Sequence, residues 1–76
     1  MCPMDRQLLR EHLVQANRHV AEVERHIAQQ QQLVDGLPLE SRVREAAVKM
    51  LTILKDTVRA LEQHRDLIRT WLERGE

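Results

Sequence analysis

Three histidines, His12, His19 and His26, recur at seven-residue intervals in the first half of this 76-residue chain, and a fourth, His64, stands far downstream. Imidazole is the side chain best suited to metal ligation and to proton exchange near neutral pH, so this set raises the reading of a metal- or pH-responsive sensor. Spacing limits the metal version. Zinc holds imidazole nitrogens at ~2.0–2.1 Å, whereas residues seven apart on a helix lie about 10 Å apart along its axis. No two of these histidines readily share an ion within one helix. Glu22 lies three residues after His19 and four before His26, so His19/Glu22 or Glu22/His26 would form a two-ligand surface site that another chain must complete. The plainer expectation is an imidazole at the edge of a helix bundle, with its ring against apolar neighbours and one nitrogen in water.

Other chemistry has less to stand on. No Glu is followed three residues later by His, so the ligand motif of di-iron helix bundles does not occur. There is no H-E-x-x-H, no phosphate-binding glycine loop and no G-x-S-x-G; Ser41 is the only serine and falls in a turn region. Cys2 sits near the terminus with no activating base beside it. The expectation is a protein that is not an enzyme, with no catalytic residue, no cofactor and no resident metal. Downstream, Arg42, Arg44, Lys49, Lys55, Arg59, Arg65, Arg69 and Arg74 are interleaved with carboxylates, where a groove-binding helix would show a one-sided basic stripe.

The elements that carry these residues are legible from two heptad seams flanking Asp35-Gly36-Leu37-Pro38. The first runs Leu9, Leu13, Ala16, Val20, Val23, Ile27, Gln30, Val34; the second runs Val43, Ala47, Met50, Leu54, Thr57, Leu61, His64, Ile68, Trp71. Alternating three- and four-residue steps are the spacing by which helices pack on one another. The fold class expected is all-α, an antiparallel two-helix hairpin of coiled-coil type forming one domain over 1–76, with helix 1 at about 4–34, a turn at about 35–39 and helix 2 at about 40–74. Pro3 suits the first helical position and Asp5 complements the helix dipole. Gly36 is expected to stop helix 1 in the left-handed conformation, with Pro38 or Ser41 opening helix 2. Glu40 with Arg44 and Glu45 with Lys49 have favourable i,i+4 order.

Helix 2 is apolar over more than its seam. Ala46, Ile53, Ala60 and Leu67 flank the seam on one side and Leu51, Val58 and Leu72 on the other, an arc of about 160° at 100° per residue. One partner helix cannot cover that width. The pattern therefore predicts a homodimer forming a four-helix bundle, with core and interface at Leu9, Leu13, Val20, Val23, Ile27, Val34, Met50, Leu51, Leu54, Val58, Leu61, Leu67, Ile68 and Trp71; a different, unidentified protein on the second face is the alternative. His64, in the seam and across from Leu13 with His12 and Ala16 nearby, is expected to be a buried polar contact that fixes register, as are Gln30 and Thr57. Charging of a buried imidazole would then weaken the bundle in acid.

Composition agrees. Hydrophobic residues make up 42% and charged residues 32%, with no Phe, no Tyr and one Trp, a profile of long amphipathic helices. Twelve basic residues balance twelve acidic ones, so no net field draws nucleic acid or an anionic membrane. No run approaches the roughly 18 apolar residues of a membrane span, and the start lacks a signal-like apolar segment, which makes the cytoplasm the expected location.

The segment His19-Val20-Ala21-Glu22-Val23-Glu24-Arg25-His26-Ile27 resembles the first helix, of form H-V-A-E-G-E-R-H-I, of short uncharacterised bacterial helical-hairpin proteins, with Val23 in place of their glycine. Leu61-Glu62-Gln63-His64-Arg65-Asp66-Leu67 is similar to the end of their second helix. The resemblance implies a helical hairpin and a bacterial source. No activity is established for such proteins, so it implies no functional residue.

Overall fold

The computed structural model describes residues 5–75, which form two helices, α1 (Arg6–Asp35) and α2 (Arg42–Arg74). Asp5 caps α1, its carboxylate accepting a hydrogen bond from the Gln7 backbone N–H at 3.2 Å, which satisfies one of the unpaired donors of the first turn. The expected start at Pro3 and residue 4 lies outside the described residues. Ser41 caps α2 in the same way, its hydroxyl accepting from the backbone N–H groups of Val43 and Arg44. Glu40 therefore precedes α2, and the expected Glu40–Arg44 helical pair cannot form. Glu45 and Lys49 do not pair either; the ion pairs found among the described residues join Asp66 to Arg65 and Arg69, and Asp56 to Arg59.

Gly36 departs from expectation. Its φ of −87° and ψ of −5° are right-handed, and its N–H continues the helical pattern to the Gln32 and Leu33 carbonyls. The left-handed glycine among the described residues is Gly75, which ends α2. The chain reverses instead over Leu37 to Glu40, with Leu37 folded back on the helices beside Val34, Ala47 and Leu51.

The helices pack antiparallel along their length in a rod of 58 × 15 × 14 Å. At the turn end the core is Val34, Ala47 and Leu51, supported by Ile27 and Leu37. At the open end it is Leu9, Ala16 and Ile68, supported by Leu13 and Leu72, with Val20 buried between the two clusters. Gln30 bridges the helices near the turn, donating from Nε2 to the Ala47 carbonyl at 2.9 Å. Arg6 closes the open end by donating to the Leu72 carbonyl at 3.1 Å.

The first seam is inward at all eight expected positions, Leu9 to Val34, each buried or half-buried. The second is rotated by one row. Inward on α2 are Arg44, Ala47, Leu51, Leu54, Val58, Leu61, Arg65, Ile68 and Leu72, so the row of Ala47, Leu54, Leu61 and Ile68 is as expected, but Leu51, Val58 and Leu72 replace Met50, Thr57 and Trp71 as its companions. The cause lies in the polar members of the two candidate rows. Thr57 and His64 would sit mid-seam with short, stiff polar groups to satisfy, whereas Arg44 and Arg65 lay their aliphatic stems along the seam and carry the charge outward.

Candidate functional site

Rotation of α2 leaves a complete heptad row in solvent. Val43, Ala46, Met50 and Ile53 lead through Thr57, Ala60 and His64 to Leu67 and Trp71, again in three- and four-residue steps, and every member is exposed. Ile53 is 57% exposed, Met50 48%, Leu67 47% and Trp71 38%. Three expected core residues, Met50, Leu67 and Trp71, are thus outside the hairpin core, while Leu51, Leu54, Val58, Leu61 and Ile68 are inside it.

Polar residues expected to face the seam divide. Gln30 bonds across it, as expected. Thr57 does not, since its hydroxyl donates back to the Ile53 carbonyl of its own helix at 2.8 Å. His64 is exposed at the flank and not buried in the seam. Placement of His64 opposite the start of α1 is nevertheless correct: with His12, Gln15, Ala16 and His19 it lines an open cleft of about 200 Å³ between the helices. His12 is half-buried there and His19 exposed.

His19, Glu22 and His26, the proposed ligand set, all lie in solvent, and the cleft takes in only the first of them. Among the described residues no group of three or more His, Cys, Asp or Glu side chains is placed to hold a metal ion. No described helix is long and apolar enough to cross a membrane.

The cleft has a second meaning, because it shows which edges adjoin. Histidines at one edge of α1 meet His64, a member of the outward row of α2, so that row and the histidine edge form one continuous broad face of the rod. Leu33, 49% exposed, extends the same α1 edge seven residues beyond His26. Sequence reasoning missed Leu37 in the core and the inward roles of Arg44 and Arg65. An apolar residue directly after a helix-ending glycine signals the first, and arginines in step with an apolar heptad row signal the second. Comparison with known protein families, curated proteins and solved structures finds no match to this chain.

Proposed function

We propose that the chain is a non-catalytic structural or protein–protein interaction module that self-associates through the outward face of α2, as a homodimeric four-helix bundle. The observation carrying this reading is the second heptad row, complete from Val43 to Trp71 and left in solvent by the hairpin. A row with helix-packing periodicity is the pattern of a face that receives helices, whereas scattered surface apolar residues have no period.

Surface area supports it. The chain exposes 5943 Å² at 9.0 kDa, against about 4,900 Å² for a compact monomer of that mass. The excess, about 1,000 Å², is close to the ~800 Å² that one partner contributes to a standard stable interface. Its radius of gyration, 17.1 Å, compares with about 11 Å for a globular chain of the same length.

Light scattering on the purified chain at micromolar concentration tests the proposal. A mass near twice 9.0 kDa is expected. A folded monomer would refute it, and a monomer that associates only in the presence of another protein would replace self-association by hetero-association.

A metal-responsive sensor is the second reading, favoured by the open cleft that His12, His19 and His64 line; the three are not placed to hold one ion by themselves, so this reading requires a further ligand from a second chain. Zinc titration by calorimetry on the wild type and on His12→Ala/His64→Ala checks it. Binding no tighter than about 100 μM, or binding that survives the double change, removes it.

A further inference from the structure

We infer that the occupant of the outward face of α2 is the α2 of a second copy, running antiparallel about a two-fold axis between Val58 and Arg59, with Trp71 seated on the partner's Ala46. This rests on the self-association reading above and adds orientation and register to it.

Besides the central antiparallel register, slides of about 10 Å in either direction bring the outward row into heptad layers with itself. The slide that sets Trp71 on the partner's Ile53 leaves about two turns of each helix unpaired and puts the largest side chain on a branched one, which leaves two registers to compare. In the first, Trp71 meets the partner's Ala46, Met50 the partner's Leu67, Ile53 the partner's His64 and Thr57 the partner's Ala60. In the second, Thr57 meets the partner's Ile53, Val43 the partner's Leu67, and Trp71 runs past the end of the partner's helix. Three features select the first.

Overlap is the most general. The middle residue of α2 is Val58, so an axis beside it superposes the two helices end to end, while the slipped register leaves about two turns of each unpaired. Shape agrees: the largest side chain of the row lies against one of the smallest, which lets the backbones stay evenly spaced. Charge decides in the same direction. Lys49, Asp56, Gln63 and Thr70 border the row on its outer side. The first register sets Asp56 beside the partner's Gln63 and Lys49 beside the partner's Thr70, whereas the slipped one brings Asp56 against its own copy, a like-charge contact that antiparallel pairs disfavour. With the adjoining histidine edge of α1 included, the face measures about 42 Å by about 20 Å, a footprint of the size one partner gives to a stable interface.

His64 fits such a layer because a ring can lie flat on the aliphatic chain of Ile53 with a nitrogen turned to the rim. No other partner is needed to cover the row, since it is complementary to itself.

Thiol cross-linking separates the registers. In a Cys2→Ser background, Thr57→Cys/Ala60→Cys is treated with a short bis-thiol reagent alongside Ile53→Cys/Thr57→Cys, after circular dichroism has confirmed helicity. Ile53, Thr57 and Ala60 are exposed in the hairpin, so its fold does not depend on their side chains. Covalent dimer at least tenfold more abundant for the first pair is expected, and the reverse ratio overturns the register. A dimer by light scattering that cross-links at neither pair overturns the proposed register while leaving self-association standing; a monomer overturns both. Fluorescence provides a second readout, since Trp71 is the only tryptophan: its emission moves to shorter wavelength as concentration rises, and Ala46→Glu abolishes the shift.

Discussion

The two long faces of α2 carry the same heptad spacing and nearly the same apolar content, yet one is buried against α1 and the other stands in solvent. Their difference is in the polar residues each row contains. Arginine serves the inward row because its stem is apolar and its charge is remote, whereas Thr57, its hydroxyl satisfied by its own helix, and His64, with a ring nitrogen at the rim, belong to the row that the hairpin leaves in solvent. Periodicity shows that a face packs, and the reach of its polar members decides which partner it packs against.

Neighbouring residues give the sharpest way to break that comparison. Leu51 is 7% exposed and Met50 48%. Leu51→Ala should cost about 2–5 kcal/mol in chemical denaturation, the range for truncating a buried leucine, while Met50→Ala at a dilution where association is absent should stay within about 0.5 kcal/mol. Equal costs would mean that the inward row has been assigned wrongly. The next effect comes from the start of α2: Ser41→Ala removes the acceptor for the Val43 and Arg44 N–H groups and should cost about 1 kcal/mol, read as a lower denaturation midpoint. An unchanged midpoint would show that the cap does not help to hold the phase of α2.

Gln30→Ala sharpens the inward side. Loss of its bond to the Ala47 carbonyl should cost about 0.5–1.5 kcal/mol, less than Leu51→Ala in the same cluster. The smallest expected effect has the opposite sign. Gly36 is right-handed, and a Cβ there would meet the Gln32 carbonyl oxygen at 3.5 Å, an ordinary contact. Gly36→Ala should therefore stabilise by about 0.4–1 kcal/mol through the unfolded chain, with thermal melts as the check. Destabilisation there would mean that the reversal needs glycine after all.

How far this was legible in the residues differs between the helices for the same reason. The first seam has a single continuous apolar row pair, and all its positions from Leu9 to Val34 face inward. α2 offers an arc of about 160°, wide enough for two row pairs sharing Ala47, Leu54, Leu61 and Ile68 or flanking them, and spacing alone does not choose between them. The width itself was readable and has its counterpart in the exposed row. Gly36 was misread because glycine after a helix usually marks a left-handed residue, yet here the reversal is spread over Leu37 to Glu40 and makes no such demand. Convergence of His12 and His64 followed from the antiparallel pairing; the exposure of His64 did not, because it depends on the rotation.

The bond from Arg6 to the Leu72 carbonyl places the beginning of α1 and the end of α2 at one tip of the rod. Tension applied between those two points would peel the helices apart from that tip, opening one layer of side chains at a time toward Leu37. Tension applied between the same tip and the turn would run along the helix axes and leave the layers between them closed. A load across the tip would therefore meet the layers singly, and a covered outward row would resist it by splinting α2 along its full length.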